Sequence, residues 1–337
     1  MSTDATYTVV GAGAIGGTLA AHLSIGGATV QIVDADAQHV EAIRAKGIII
    51  ESPDERLVID IPAFTLDDAP GDLGPVILAV KSQATRPAMK WIAPRLRSDG
   101  YVASLQNGLN EDLIADFVGP QRTVKAFVDL FADVIAPGVV KDGGFGTIAL
   151  GEYAGGLSSR LERLATDLHH WGTPILSENV DGFLWSKIAF GAMLTASAFI
   201  DDDMAQVIDD NRDVMLELAR ESFAVSDSLN IELEGFDAFA PDDFRATASE
   251  DAVNKAFSDL VSWLAGQTKT RSGIWRDINV RKRPTEVPAH YVPVLETAKK
   301  FGIGVPLLCE MLTIIGELET GTVTMGPELF ARMRSAE

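Results

Sequence analysis

The sequence predicts an α/β domain followed by an all-helical domain. Up to about residue 150, short aliphatic runs alternate with stretches of helical periodicity, which is typical of a parallel sheet covered by helices. Beyond residue 178 the strand signals stop, and apolar residues recur at helical spacing. The length of 337 residues exceeds one ordinary core and suits two domains. We therefore expect an α/β domain over residues 1–178 and a helical domain over residues 179–337.

The strands of the first domain are predicted from its short apolar runs. They are expected at Tyr7–Val10, Thr29–Val33, Val76–Val80 and Tyr101–Leu105. The last two runs are rich in aliphatic residues, as is usual for strands buried on both faces of a sheet. Ile48–Ile50 and Leu57–Ile61 flank a polar turn at residues 52–55 and predict a hairpin.

A further strand pair and two helices complete this prediction. Thr123–Val128 and Thr147–Leu150 are expected to pair, joined across the turn residues Pro137 and Gly138. In the second domain, apolar stripes over Met215–Leu229 and Val253–Leu264 predict helices. The acidic segment Glu232–Asp243, which contains a glycine and a proline, predicts the loop between them.

Composition and charge exclude several classes of function. Lys plus Arg number 28 against 48 Asp plus Glu, so the net charge of −20 disfavours binding to nucleic acid or to anionic membranes. Residues 1–6 are polar and lack the pattern of a signal peptide. The apolar stretch Ile188–Ile200 is too short to span a bilayer and predicts a buried helix. Cys309 is the only cysteine, which suits a reducing compartment, and we expect a cytoplasmic protein.

A glycine-rich turn after the first strand predicts a dinucleotide site. Its residues are Gly11, Ala12, Gly13, Ala14, Ile15 and Gly16, and the apolar helix begins within them. Glycines at these spacings allow a tight turn, close approach of a pyrophosphate and close packing of helix on strand. The helix N-terminus then offers N–H donors and the positive end of its dipole to the phosphates. We therefore expect a Rossmann domain.

Asp34 predicts the choice of nucleotide. It ends the second strand, where a carboxylate can accept hydrogen bonds from both ribose hydroxyls of NAD and would repel the extra phosphate of NADP. No arginine or lysine follows until Arg44. The alternative is a solvated acid at a strand end, and we expect NAD to be preferred over NADP.

Five short blocks in the chain resemble one known family. They are Gly11–Gly17, Val80-Lys81-Ser82, Gln106-Asn107-Gly108, Trp185-Ser186-Lys187 and Arg283-Pro284-Thr285-Glu286. In order and spacing they resemble the ketopantoate reductase (2-dehydropantoate 2-reductase) family, over about residues 7 to 320. The resemblance implies a Rossmann domain followed by a helical domain like that of 6-phosphogluconate dehydrogenase, with the active site in the cleft between them.

The resemblance also implies roles for individual residues. Lys187 corresponds to the catalytic lysine that protonates the carbonyl oxygen as hydride arrives, a role suited to an ammonium in a dry cleft. Asn107 corresponds to the asparagine that contacts the cofactor and orients lysine and substrate. Lys81, Ala132 and Glu286 correspond to positions that contact the cofactor. Without the resemblance, we would interpret Lys187 as a surface lysine, Asn107 as a turn residue and Glu286 as a solvated glutamate.

Departures from the family pattern cluster at the positions expected to bind substrate. Gly191 and Thr195 stand where family members commonly have asparagines that bind substrate, and Ser272 keeps one serine of a pair whose second member is Gly273. One extra residue lies between Asp277 and Glu286. We therefore expect the chemistry to be retained and the substrate to differ from ketopantoate.

Other side-chain groups carry weaker predictions. The five histidines show no metal-ligand spacing, so no metal site is expected, and no serine-hydrolase motif is present. His290 follows Glu286 by one helical turn and could be a second acid or base, or simply a packing residue. Arg276, Arg281, Lys282 and Arg283 form a basic cluster that is either a solvated face or an anchor for a substrate carboxylate.

These observations favour an NAD-dependent dehydrogenase that acts on a small 2-hydroxy acid or reduces the matching 2-oxo acid. The partners expected are a small-molecule carboxylate and a second copy of the chain in a homodimer. The second candidate is a genuine 2-dehydropantoate 2-reductase of pantothenate biosynthesis. A third candidate is a non-catalytic NAD-binding sensor, although binding alone would not require Lys187.

Overall fold

A computed structural model describes residues 6–52, 55–130, 132–144, 146–267 and 269–336 of the chain. Residues 1–5 and two residues of the predicted hairpin turn, Pro53 and Asp54, lie outside the described residues. The chain divides into two compact units, Met1–Val180 and Asp181–Glu337. The first unit is α/β and the second is helical, which confirms the predicted fold class.

The first unit contains two sheets. Its strands are β1 (Tyr7–Val10), β2 (Val30–Val33), β3 (Ile48–Glu51), β4 (Arg56–Ile59), β5 (Ala63–Phe64), β6 (Val76–Leu78), β7 (Val102–Ser104), β8 (Thr123–Asp129), β9 (Ala132–Ala136), β10 (Val139–Asp142), β11 (Thr147–Glu152) and β12 (Thr173–Leu176). The eight-stranded sheet has the order β12-β11-β8-β7-β6-β1-β2-β5, and the four-stranded sheet has the order β4-β3-β10-β9.

The helices of the first unit cover the larger sheet. They are α1 (Ala14–Ile25), α2 (Ala37–Lys46), α3 (Thr85–Ile92), α4 (Glu111–Val118) and α5 (Ser159–Leu168). The helices of the second unit are α6 (Val180–Ala196), α7 (Met204–Asp210), α8 (Arg212–Ser228), α9 (Glu250–Ala265), α10 (Gly273–Trp275), α11 (Val287–Phe301), α12 (Pro306–Thr320) and α13 (Glu328–Ala336). A π-helical turn, Arg276–Val280, directly follows α10.

The strand order of the larger sheet indicates where a ligand would bind in the first unit. From β5 through β2, β1, β6 and β7 to β8 all neighbouring strands are parallel, and this is the common order of dinucleotide-binding sheets. Parallel strands bring the loops after β1, β2, β6 and β7 to the same edge of the sheet. The strand order reverses between β1 and β6, because β2 and β5 lie on one side of β1 and the later strands lie on the other, and such sheets bind ligands at this point.

The predicted strand pairs are present, with one correction. β3 and β4 form the expected antiparallel hairpin, and β8 pairs antiparallel with β11. Pro137 and Gly138 do not join β8 to β11 directly. They form the turn of an additional hairpin, β9–β10, in which β10 pairs with β3 of the smaller sheet. β9 is only partly buried or exposed along its length, so no alternating apolar pattern marks it in the sequence.

A buried helix forms the centre of the second unit. Val180–Phe199 is long and apolar enough to cross a membrane by length and composition, yet 83% of its most apolar window is buried inside the protein. It is therefore the core helix that the run Ile188–Ile200 predicted. Phe190 packs against Phe236, Phe239 and Trp263, so the predicted loop 232–243 contributes two aromatic side chains to this core.

The two predicted helical stripes correspond to α8 and α9. Met215, Leu218 and Val225 are buried on α8, whereas Leu229 lies beyond the end of that helix and is 37% exposed. The helix ends at Ser228, so its apolar stripe does not extend to Leu229 as predicted. On α9 the buried residues are Ala256, Phe257, Leu260 and Leu264.

Candidate active site

The glycine-rich loop directly follows β1 and opens α1. Gly11 has a φ of +95°, and a Cβ atom there would lie 2.8 Å from the backbone nitrogen of Val80. A Cβ atom on Gly16 would lie 1.9 Å from the carbonyl oxygen of Gly11. Both positions therefore exclude side chains, because Cβ atoms do not approach backbone atoms so closely. These two glycines allow α1 to begin immediately beside the ends of β1 and β6.

The third glycine leaves an open space at the N-terminus of α1. Gly13 is the N-cap residue, and no described atom lies within 4 Å of the position that its Cβ would occupy. No side chain of the described residues caps this helix. The first-turn N–H groups and the positive dipole end are therefore available to an anion. This loop fits the pyrophosphate of a dinucleotide.

Asp34 lies beside this loop, at the end of β2. Its Oδ2 accepts a hydrogen bond of 2.6 Å from the backbone N–H of Ala12, and its Oδ1 accepts one of 2.8 Å from the N–H of Asp36. Each carboxylate oxygen has a further lone pair. Asp34 can therefore hold the loop and accept hydrogen bonds from ribose hydroxyls at the same time.

His39 binds the carbonyl group of the same loop residue, Ala12. This buried residue of α2 accepts a hydrogen bond at Nδ1 from the N–H of Gly138, over 3.1 Å. Its Nε2 therefore carries the proton and donates it to the carbonyl oxygen of Ala12, over 2.9 Å. His39 thus connects the β9–β10 turn to the glycine-rich loop. The sequence analysis assigned this histidine no role, because its partners are backbone groups far away in the sequence.

The first basic residue after Asp34 is already paired. Arg44 donates hydrogen bonds to Glu41, to Asp68 and to the carbonyl oxygen of Ala63. The hydrogen bond from Arg44 is the main cause of the lowered pKa of the Asp68 carboxyl. Two carboxylates therefore neutralise this guanidinium, which makes it a poor partner for a 2′-phosphate.

Lys81 and Asn107 follow neighbouring strands of the sheet. Lys81 follows β6 and is the N-cap residue of a 3₁₀ turn. Asn107 follows β7 and is exposed. β6 pairs with both β1 and β7, so both residues lie at the same sheet edge as the glycine-rich loop. Gly108 has a φ of +86° and reverses the chain directly after Asn107.

Ala132 is the first residue of β9, in the smaller sheet. It packs against the same hydrophobic core as Ala12, Ala14 and Ile15 of the glycine-rich loop. The structure thus brings the predicted nucleotide residues Gly11 to Gly16, Asp34, Lys81, Asn107 and Ala132 together within the first unit.

Lys187 lies on the one accessible stripe of the core helix α6. From residue 182 to residue 199 the partly exposed positions are Lys187, Gly191 and Leu194, and every other position is buried. Their spacing of four and three residues places them on one face of the helix. This stripe combines a cation, a position without a side chain and an apolar side chain.

Gly191 and Thr195 differ in the contacts that they make. The hydroxyl of buried Thr195 donates to the carbonyl oxygen of Gly191 within the helix, over 2.7 Å. A Cβ atom on Gly191 would lie 3.1 Å from the hydroxyl oxygen of Tyr291. Tyr291 itself is buried on α11 and donates to the carbonyl oxygen of Ile188, over 2.7 Å. Tyr291 thus occupies the space beside Gly191, a contact that no spacing in the sequence indicates.

Ser272 and two residues of the basic cluster, Arg281 and Arg283, bind partners within the second unit. The Ser272 hydroxyl caps α10 by accepting from the N–H of Trp275, over 3.2 Å. Asp277, whose side chain is 7% exposed, accepts hydrogen bonds from Arg281 and Arg283. Both arginines therefore already bind a protein carboxylate, which weakens the interpretation of the cluster as an anchor for a substrate carboxylate.

Glu286 and His290 share one face at the start of α11, as their spacing predicts. Glu286 is the N-cap residue, and its Oε1 lies 4.0 Å from Nε2 of His290. In the described part of the chain, no group of three or more histidine, cysteine or acidic residues could hold a metal ion.

Comparisons with known proteins agree with this arrangement. The family model described as ketopantoate reductase PanE/ApbA matches residues 7–155, and the model of its C-terminal domain matches residues 179–319. A 2-dehydropantoate 2-reductase of Mesorhizobium japonicum is 29% identical over 339 residues, covering 92% of this chain and 97% of that protein.

Solved structures show the same fold. A ternary structure of D-mandelate dehydrogenase with NADH and anilino(oxo)acetate has a TM-score of 0.80 at 19% identity, covering 94% of this chain and 99% of that one. A PanE/ApbA family ketopantoate reductase from Ralstonia eutropha has a TM-score of 0.78 at 22% identity, with the same coverage.

The family matches identify the class of enzyme. The protein is an NAD(P)-dependent oxidoreductase that acts on a CH–OH group of a small molecule. Family models match both the Rossmann unit and the helical unit, and together they cover most of the sequence. The chain therefore belongs to the ketopantoate reductase family.

Proposed function

We propose that this protein is an NAD-dependent dehydrogenase of small 2-hydroxy acids, or a reductase of the matching 2-oxo acids. The observation that carries the cofactor choice is Asp34, whose carboxylate lies beside the glycine-rich loop. A second negative charge, the 2′-phosphate of NADP, would be repelled there, and Arg44 is bound to Glu41 and Asp68 instead of being available to offset it. The D-mandelate dehydrogenase of the same fold was solved with NADH.

The proposed chemistry assigns one task to each side chain. When bound, the nicotinamide ring supplies hydride to the carbonyl carbon or accepts it from the carbinol carbon. Lys187 donates its ammonium proton to the carbonyl oxygen in reduction and takes the hydroxyl proton in oxidation. Its charge also stabilises the oxyanion that forms between these states. Asn107 orients the substrate and Lys187, while Lys81, Ala132 and Glu286 bind the nucleotide.

The accessible stripe of α6 supports a substrate other than ketopantoate. Gly191 contributes no polar side chain, and the Thr195 hydroxyl is already bound to the carbonyl oxygen of Gly191. Leu194 adds an apolar surface next to Gly191. We propose that these residues form an apolar wall for the group attached to the 2-oxo carbon, and that Ser272 shapes this wall by capping α10. Anilino(oxo)acetate, bound by the D-mandelate dehydrogenase, carries such an apolar group.

A genuine 2-dehydropantoate 2-reductase is the second candidate. It is supported by the relative from Mesorhizobium japonicum, which bears that name and covers nearly the whole chain. The family matches do not support the third candidate, a non-catalytic NAD sensor, and nucleotide binding alone would not require an accessible lysine on a buried helix. We also propose that the protein is cytoplasmic and forms a homodimer. Light scattering of the purified protein can test the dimer.

One screen separates these candidates. The purified protein is mixed with NAD⁺ or NADP⁺ and a panel of 2-hydroxy acids, or with NADH or NADPH and 2-dehydropantoate and other 2-oxo acids. The change in absorbance of the reduced nucleotide is followed, with Lys187→Ala as the matched control. We expect activity with NAD(H) and an acid that carries an apolar group. Preferred turnover of 2-dehydropantoate would establish the second candidate, and nucleotide binding without turnover of any of these acids would contradict the proposed substrate class.

A further inference from the structure

Four buried polar side chains connect the two loops that carry Lys81 and Asn107. They are Ser82, Thr85, Gln106 and Asn110, and each is at most 8% exposed. None of them belongs to the apolar clusters that pack the two faces of the larger sheet. Burying polar side chains costs free energy unless their groups are bound. Among the described residues, each of the four side chains takes part in the hydrogen bonds given below, whereas Gln106 Oε1 has no partner.

The hydrogen bonds of this network connect Val80, just after β6, to Asn107. The side-chain amide of Gln106 donates to the carbonyl oxygen of Val80 and to Thr85 Oγ1, each over 2.8 Å. Thr85 Oγ1 then donates to Asn110 Oδ1, over 3.1 Å. A threonine hydroxyl has a single proton, so its two partners fix which way it points.

The network ends on the backbone of Asn107. Asn110 Nδ2 donates to the carbonyl oxygen of Asn107 over 2.8 Å and to Ser82 Oγ over 3.2 Å. Ser82 Oγ also donates to the carbonyl oxygen of Asn107, over 2.5 Å. Two donors therefore hold one carbonyl group, and this fixes the peptide from which the exposed Asn107 side chain projects.

We propose that Ser82, Thr85, Gln106 and Asn110 are positioning residues that fix Asn107 for the reaction. This inference rests on the proposed role of Asn107. The network supplies two hydrogen bonds to the Asn107 carbonyl group, and through Gln106 it is anchored to the carbonyl oxygen of Val80, just after the neighbouring strand β6. The active residues of this sheet edge are thus aligned by side chains beneath them, in addition to the strands themselves.

The test removes one hydroxyl without changing the shape of the side chain. Thr85→Val breaks the network, whereas Thr85→Ser keeps its hydroxyl. The matched control is Thr123→Val, because Thr123 is equally buried, donates to the carbonyl oxygen of Gly119 and lies at the opposite edge of the sheet, where β8 begins. We expect Thr85→Val to lower kcat by at least about tenfold with little change in nucleotide affinity. Thr85→Ser and Thr123→Val should keep kcat near that of the wild type.

A double-mutant cycle shows whether Thr85 acts through Asn107. The effect of Thr85→Val on kcat should disappear when Asn107 is already alanine, because the side chain to be positioned is then absent. Ser82→Ala, which removes only one hydroxyl, provides a second variant and should lower kcat in the same way. Equal losses for Thr85→Val with and without the Asn107 side chain would overturn the inference, as would equal kcat values for Thr85→Val and Thr123→Val. Normal turnover of Asn107→Ala alone would instead contradict the proposed function.

Discussion

The carboxylate of Asp34 and the backbone N–H of Ala12 are joined by a hydrogen bond of 2.6 Å. The acid that the sequence assigns to ribose recognition therefore also holds the loop that receives the pyrophosphate. His39 holds the carbonyl group of the same residue, Ala12. In the proposed function, binding of the ribose by Asp34 and the shape of the glycine-rich loop are therefore coupled, and we expect this coupling to affect variants of Asp34 and of His39.

The first prediction concerns cofactor preference. We expect the wild-type enzyme to prefer NAD(H) to NADP(H) by a factor on the order of 10², because of charge repulsion and lost hydrogen bonds to the ribose. Asp34→Asn removes the charge but keeps one acceptor oxygen, so it should narrow this preference with a modest loss of NAD affinity. Asp34→Ala also removes the acceptor of the Ala12 N–H, so it should weaken the binding of both nucleotides.

These affinities are measured by fluorescence titration with each reduced nucleotide. Equal affinity of the wild type for both would show that Asp34 does not select the cofactor. Equal NAD affinity of the alanine and asparagine variants would show that the bond to Ala12 contributes nothing to the loop.

The second prediction concerns His39. Replacing it with phenylalanine leaves the Ala12 carbonyl group and the Gly138 N–H without their partner, and such a loss costs about 1–3 kcal/mol for each buried group. We expect NAD affinity to fall by about tenfold, which corresponds to about 1.4 kcal/mol, while kcat at saturating NAD changes little. The measurement is the NAD dependence of the rate.

His22→Phe is the matched control for His39. His22 is a partly buried histidine of the same unit, and its Nε2 lies 3.3 Å from Oδ2 of Asp142 on β10. Its replacement should leave NAD affinity near that of the wild type. If both variants bind NAD equally weakly, the loss of affinity is not specific to His39, and its proposed role would be refuted.

The third prediction concerns Gly191 and its neighbour Tyr291. Gly191→Asn alone should not produce a good ketopantoate reductase, because its Cβ atom would lie 3.1 Å from the Tyr291 hydroxyl oxygen. Combining it with Tyr291→Phe removes that oxygen and should raise the kcat/KM for ketopantoate above that of either single variant. Tyr291→Phe alone serves as the control for the lost hydrogen bond to Ile188. A single Gly191→Asn variant with high ketopantoate activity would contradict this explanation.

The fourth prediction concerns Lys187. Lys187→Ala removes both the proton donor and the positive charge, so kcat should fall by roughly 10²–10⁴. Lys187→Arg keeps the charge but cannot readily give up its proton, so it should recover only a small part of the loss. NAD affinity should be retained in both variants, because the glycine-rich loop and Asp34 belong to the first unit. Near-normal turnover by Lys187→Ala would exclude this lysine as the proton donor.

Local patterns in the sequence were sufficient to predict much of the fold. The strand Tyr7–Val10 and the glycine-rich loop are encoded by neighbouring residues, so their positions could be read directly. The β9–β10 hairpin could not, because its strands are stabilised by β3 and α1, which lie far away in the sequence. A short strand without an alternating apolar pattern looks like a loop until its partners are known.

The same distinction applies to the candidate site. Asp34, Lys81 and Asn107 follow strand ends, where a parallel sheet makes side chains converge, so their grouping could be predicted. The contributions of His39 and Tyr291 arise from hydrogen bonds to backbone carbonyl groups of distant residues. Any residue type can supply a carbonyl group, so the sequence contains no signal for such pairs.

In the proposed function, the accessible stripe of α6 places the proton donor and the residues that select the substrate on a single helix. Lys187 lies one helical turn before Gly191 and two turns before Leu194, and the other positions from residue 182 to residue 196 are buried in the core. We therefore expect substitutions at the later two positions to change the acid that is accepted while the proposed proton donor keeps its place. An ancestral reductase could thus give rise to enzymes for different acids through a few side-chain exchanges, without any remodelling of its backbone.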